Sequence, residues 1–170
     1  MSNRVHAPGQ PHIVVRDLTM AFGSFVLMHD LNFVVNHGDV FIIMGGSGCG
    51  KSTLLRHLVG LIEPAKGEIS YDGFNFTKAE PQQRAILELK DSLGTTIVVV
   101  THELASIFTI GNNSVFLDPD TRTMIVQGDP KELRDHSSSD DGADRAGSTV
   151  RRLFGSTAPG GPYSILCVDA

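Results

Sequence analysis

One glycine-rich run constrains this chain more than any other: Gly45-Gly46-Ser47-Gly48-Cys49-Gly50-Lys51-Ser52. It satisfies G-x-x-x-x-G-K-[ST] at every position. Glycines let successive backbone N–H groups curl around an anionic oxygen, where a Cβ would obstruct the approach. Ahead of the run, Val40–Met44 is continuously apolar and bounded by Asp39 and Gly45. Such runs belong to strands covered on both faces, which places this one centrally in a parallel sheet. Behind it, Leu54, Leu55, Leu58, Leu61 and Ile62 recur at helical spacing and predict a helix over Lys51–Ile62, stopped by Pro64 and Gly67. A flexible glycine-rich turn would need neither flank. Strand, loop and helix together make a phosphate cradle at a helix N-terminus. In that cradle Lys51 reaches the β- and γ-phosphates, and the Ser52 hydroxyl ligates Mg²⁺. Cys49 reads as a small side chain tolerated in the loop; a thiol activated by the helix end is the alternative.

The remaining pattern fits an α/β chain. His12–Arg16 begins a strand that Asp17-Leu18-Thr19 extends. Phe25–Leu27 and Leu31–Val35 predict two more strands around a turn at His29-Asp30. Glu68–Tyr71 followed by Asp72-Gly73 is a short strand and its turn. Pro81 opens a second helix with Ile86, Leu89 and Leu93 on one face and Gly94 as its cap. The valine-rich stretch Thr95–Thr101 is a second buried parallel strand, and it leads into His102-Glu103. A short helix then stops at Gly111, a hairpin turns at Asp118-Pro119-Asp120, and Pro130–Leu133 opens a brief helix.

Composition divides the chain of 170 residues into a flexible lead-in at 1–11, a folded unit at 12–135 and a weakly ordered, low-complexity tail at 136–170. Residues 137–149 carry too few apolar side chains to offset the cost of ordering a backbone and are expected to be mobile. Cys167 lies in a strand-like fragment of that tail. Fourteen Lys and Arg stand against 19 Asp and Glu, for a formal net charge of −5, which argues against a nucleic-acid partner. Two cysteines, Cys49 and Cys167, make no disulfide framework. With no signal-peptide pattern and no spanning run, the expected location is the cytoplasm, or the cytoplasmic face of an inner membrane as a peripheral subunit.

The loop and its continuation, Ser52-Thr53-Leu54-Leu55-Arg56-His57-Leu58-Val59-Gly60-Leu61, resemble the ATP-binding subunits of ABC transporters. The Leu-Leu-Arg-His run resembles most closely the Mla/Mce type that powers phospholipid trafficking. Leu89–Thr96 through Val100-Thr101-His102-Glu103-Leu104, and Phe116-Leu117-Asp118 to Gly128-Asp129-Pro130, carry the resemblance over most of residues 12–136. It implies a P-loop NTPase of ABC ATPase-like fold with a mostly parallel sheet, and ATP and Mg²⁺ as cofactors. Its implied partners are a transporter permease and a second ATPase subunit. Gly45, Gly46, Ser47, Gly48, Cys49, Gly50, Lys51, Ser52 and Thr53 match the nucleotide-binding positions, and Ser52 the metal position. Phe22 or Phe25 matches the aromatic that stacks on adenine. Phe22 fits better because Gly23 follows it, and an ordinary core phenylalanine is the other reading. His102 matches the switch histidine at the γ-phosphate, with a surface or capping histidine as the alternative.

The departures fall between Lys51 and His102. That interval holds no L-S-G-G-Q-like signature and no apolar strand ending in Asp-Glu. The match breaks near Lys78-Ala79-Glu80, as though the chain were internally truncated. Gln82 and Gln83 follow the break and do not replace the family's glutamine. Asp118 ends an apolar stretch, but after the histidine, where the family has a hairpin. Phosphoryl transfer needs an oriented water as well as charge stabilisation, and the sequence supplies only part of the second. Binding of Mg-ATP with little hydrolysis is therefore the expectation, and the loss of the helical subdomain argues against productive coupling to a permease. A compact ATPase using another base, such as Glu103, and a non-enzymatic regulatory or structural remnant are the alternatives.

Overall fold

Alternation within the apolar runs explains how the chain builds two layers of core around one sheet. The computed structural model describes residues 9–78, 96–100, 104–136 and 164–168. The central strand β3 (Val40–Gly45) is flanked in parallel by β6 (Thr96–Val100) and β7 (Asn113–Asp118). Antiparallel strands complete the edges, β8 (Thr123–Gly128) beside β7 and β9 (Ser164–Val168) beside β6, in the order β8-β7-β3-β6-β9. Phe41, Ile43, Val98, Val100, Val115 and Leu117 enter one core cluster. Their sequence neighbours Ile42, Met44, Val99 and Phe116 enter the other. A strand with both faces buried has no polar alternation, which is why β3 reads as an unbroken run.

A second, antiparallel sheet covers the first cluster. It consists of β1 (Pro11–Phe22), β2 (Phe25–Asn36), β4 (Lys66–Tyr71) and β5 (Phe74–Asn75), in the order β2-β1-β4-β5. Ile13, Val15, Leu18, Met20, Leu31, Phe33, Val35 and Ile69 pack from this sheet against Phe41 and Ile43. The Phe33 and Phe41 rings stack with centroids 5.4 Å apart. Helix α1 (Lys51–Leu58) adds Leu54 and Leu58 to the same cluster. On the far face Ile107 of α2 (Leu104–Ile110) is buried and Leu133 of α3 (Pro130–His136) packs beside it. Among the described residues no helix is long and apolar enough to cross a membrane.

Two expectations need correction. The polar pair His29-Asp30 is not a turn between two strands but lies inside the continuous strand β2. Asp17 and Asp30 take φ of 48° and 54°, and the β1–β2 register shifts beside each. These are compensating bulges, one in each strand. Asn32 ties them together: its side chain accepts from Asp17 N–H at 3.0 Å and donates to Asp30 C=O at 3.2 Å. The first helix ends at Leu58, not Ile62. Gly60, at φ 72°, donates to His57 C=O, and Leu61 N–H returns to Arg56 C=O at 2.9 Å, the Schellman arrangement that closes a helix. The strand-like fragment expected around Cys167 is β9, which pairs with the outer edge of β6. At the sheet's centre β3 and β6 pair directly.

The second parallel strand, the β7–β8 hairpin, the Asp72-Gly73 turn and the helices after β6 and β8 lie where the sequence places them. The helix opening at Pro81, the stretch 137–149, and His102 and Glu103 lie outside the described residues.

Candidate nucleotide-binding site

The glycine-rich loop leaves β3 at the end where β7 is also terminating, with Gly45 opposite Leu117. It enters α1 through Gly50, whose φ of 99° is left-handed. An N-cap side chain there would normally fold onto the helix end; a glycine leaves that end open. No acidic residue occupies the first turn, and Arg56 and His57 occupy the last. Both features leave the positive end of the helix dipole to an anion from outside.

Close packing holds the loop's base. A Cβ at Gly50 would come within 2.9 Å of Leu27 Cδ2 and 3.3 Å of Met20 Cε, so the β1–β2 hairpin braces the helix entrance. Among the described residues a Cβ at Gly48 would meet nothing within 4 Å. Ser47 and Ser52 are exposed, and Thr53 is half-buried. Lys51 is buried at 6% exposure and its Nζ donates to the carbonyls of Gly45 and Gly46 at 2.9 and 2.7 Å. Burial pulls its ammonium below the ordinary lysine range, and the neighbouring Cys49 sulfur opposes the shift. The ammonium is thus held inside the loop, where a polyanion would be its strongest available partner.

Cys49 is buried at 1% exposure, with its sulfur 3.8 Å from Lys51 Nζ. Burial pushes the thiol up, and the Lys51 charge offsets only part of that. This favours the packing reading over an activated nucleophile. Alkylation of Cys49 by iodoacetamide at neutral pH should accordingly run about tenfold or more slower in the folded chain than in the denatured one. Peptide mapping at residue 49 measures it, and equal rates would contradict this placement.

Phe22 and Phe25 pair across the tip of the β1–β2 hairpin and are 53% and 54% exposed. Neither is a core phenylalanine. They differ in their neighbours, since Arg122 of the β7–β8 turn lies over the Phe25 ring, 5.3 Å from its centroid. Asp118, at the end of β7, has its carboxylate engaged locally. Thr121 donates to it through Oγ1 at 2.7 Å and N–H at 3.1 Å, and Asp120 N–H adds a third bond. Burial would raise its pKa, but these bonds outweigh that and hold it below the usual carboxylate range. Its oxygens serve the turn, and Pro119 of that turn lies beside Gly46.

The loop's geometry and donors fit a Mg-nucleotide: an open glycine cradle, a buried lysine and an exposed serine at the first turn of α1. Residues 28–153 match the ABC transporter family. The chain belongs to this family, as an ABC ATP-binding domain. It is 38% identical over 76 residues to the spermidine/putrescine import ATP-binding protein PotA of Pseudomonas aeruginosa, covering 45% of this chain and 21% of that protein. It is 45% identical over 74 residues to the sulfate/thiosulfate import ATP-binding protein CysA of Mycobacterium tuberculosis, covering 44% and 21%. The Fe(3+) ions import ATP-binding protein FbpC 1 of Haemophilus influenzae matches at 39% over 74 residues, covering 44% and 23%. The matched stretch therefore spans only about a fifth of these relatives.

Among solved structures, one titled as the ATP binding subunit of an ABC transporter superposes with a TM-score of 0.60 at 14% identity, covering 84% of this chain and 98% of that one. A nucleotide-free ATP-binding cassette from an ABC transporter gives 0.64 at 12% identity, covering 85% and 99%. They establish the fold of this ABC domain, a partial α/β P-loop domain. These relatives are named as ATP-binding proteins of spermidine/putrescine, sulfate/thiosulfate and Fe(3+) ion import, so the matches support the family without the lipid-trafficking subgroup.

Proposed function

We propose that this ABC domain binds Mg-ATP and hydrolyses it slowly or not at all. One observation carries the reading: a buried Lys51 sits within a glycine loop that joins β3 to the open N-terminus of α1. In the proposed complex, Gly45–Gly50 supply N–H groups, Lys51 supplies charge, and Ser52 and Thr53 supply hydroxyls, with Ser52 toward the metal. The exposed Phe22 offers a ring for the base, and His102 a contact to the γ-phosphate. Bound Mg²⁺ would neutralise developing phosphate charge. The sequence between Lys51 and His102 provides no Asp-Glu pair to orient an attacking water. The expected partners remain a permease and a second ATPase subunit on a cytoplasmic membrane face.

Phospholipid is the cargo that the Leu54-Leu55-Arg56-His57 resemblance suggests. Yet His57 is a buried side chain at the end of α1, bonded to Ile62 C=O at 2.8 Å, and burial lowers its pKa more than that bond raises it. That histidine serves packing, so the run supports the energising role better than it supports any one cargo.

Calorimetry with ATP and ADP, with and without Mg²⁺, tests binding, and phosphate release over hours tests turnover. Binding with near-background release is expected. Turnover near 1 s⁻¹ that Lys51→Ala abolishes would place this chain within the ordinary enzyme range and overturn the proposal.

A further inference from the structure

At the opposite end of β1 from Phe22, three side chains from separate parts of the sequence meet. His12 is the second residue of β1, His37 follows β2, and Asp72 occupies the β4–β5 turn. The antiparallel order β2-β1-β4 brings these strand ends to one edge. Backbone bonds fix the registry: Asp72 N–H donates to His12 C=O and His37 N–H to Gln10 C=O, both at 2.8 Å. His12 Nδ1 lies 3.1 Å and His37 Nε2 lies 2.6 Å from the same oxygen, Asp72 Oδ1. The imidazole centroids are 4.1 Å apart, and the donor atoms of all three residues lie within 4.8 Å of one another. Both histidine side chains are buried, at 3% and 6% exposure, while the carboxylate reaches solvent at 27%.

We infer that His12, His37 and Asp72 form a binding site for a divalent transition-metal ion of the zinc class. A tetrahedral zinc ion with bonds of about 2.0–2.2 Å holds its donors about 3.3–3.6 Å apart. The two separations from Asp72 Oδ1 lie just below that spacing and all three donors fall within 4.8 Å, so loading needs the donors to move apart slightly around the ion. Two imidazoles and one carboxylate suit zinc, cobalt or nickel, whereas Mg²⁺ prefers an all-oxygen shell. The site is therefore chemically distinct from the phosphate loop and does not depend on the nucleotide reading. The partly exposed Asp72 gives the ion a path in. Bound there, the ion would clasp the ends of β1 and β2 to the β4–β5 turn. The competing account is a hydrogen-bonded cluster in which two imidazoles share one carboxylate oxygen. It predicts no metal affinity.

The probe is zinc chloride, added to the untagged full chain after chelator treatment and buffer exchange. Binding is followed by competition against a chromophoric chelator, and cobalt chloride reports coordination through its visible absorption. One equivalent of zinc should bind, cobalt should show the intense bands of a four-coordinate site, and zinc should raise the melting temperature. His37→Gln and Asp72→Asn should each weaken zinc at least about 100-fold, beyond the usual loss from changing a group behind a ligand. Asparagine tolerates the positive φ of 48° at position 72, so that variant keeps its turn. His29→Gln, which alters the exposed His29–Asp30 pair, should bind as the parent does. No zinc binding by the parent, or equal affinity in the folded Asp72→Asn and His37→Gln chains, would overturn the inference.

Discussion

Lys51→Ala is expected to weaken Mg-ATP binding by about 1.5–3 kcal/mol, roughly 10- to 150-fold, while leaving thermal stability nearly unchanged. The two halves of this prediction have one cause. Lys51 is an ammonium held at 6% exposure, and burial already pulls its pKa down. Its bonds to the Gly45 and Gly46 carbonyls recover part of the desolvation cost. Truncation removes the buried charge together with those bonds, so the opposing contributions to folding largely cancel. Binding has no such cancellation, because the lost group is the loop's direct charge partner for phosphate. Calorimetry and a thermal melt on the same preparation separate the two. Unchanged ATP affinity in a folded variant would remove Lys51 from the site.

Local signals were readable where one contiguous segment carried both the cause and its consequence. Val40–Met44 and Thr96–Val100 have apolar side chains on successive residues because both faces of their sheet are covered, and they pair in parallel. The phosphate loop was legible for the same reason: strand, glycines, lysine and helix are consecutive. The misreadings arise where a local pattern has two solutions. Leu61 and Ile62 continue the helical period beyond Gly60, yet Gly60 reverses the chain, and Leu61 is left 76% exposed. His29-Asp30 has the polarity of a turn, but a bulge in β1 at Asp17 offsets the one in β2, and the ladder continues. The strand-like fragment around Cys167 was visible, but its partner, the edge of β6, is named by no local pattern. The His12, His37 and Asp72 cluster has no sequence spacing to detect. Asp72 lies 60 and 35 positions from the two histidines, and sheet registry alone unites them.

That registry also decides what the first glycine of the loop can tolerate. Gly45→Ala should destabilise the domain by roughly 2–5 kcal/mol, combining overpacking with backbone strain, and should weaken nucleotide binding with it. An added Cβ would sit 2.6 Å from Leu117 C=O and 2.6 Å from Cys49 Sγ, with Leu117 Cβ at 3.3 Å, on a residue at φ 150°. The sulfur could rotate aside. The carbonyl belongs to the paired backbone of β7, so relief there means parting β7 from β3 at the position where the loop begins. For a chain of this size the expected fall in melting temperature is about 5–15 °C. Gly46→Ala is the matched control. Among the described residues its Cβ would meet only Pro119 Cγ, at an ordinary 3.8 Å, so its stability should stay within about 1 kcal/mol of the parent. Lys51→Ala separates binding from stability; Gly45→Ala should lose both, because the residue that opens the cradle also closes the sheet. Equal melting of the Gly45→Ala and Gly46→Ala chains would show that β3 and β7 do not approach as closely at this point as the registry requires.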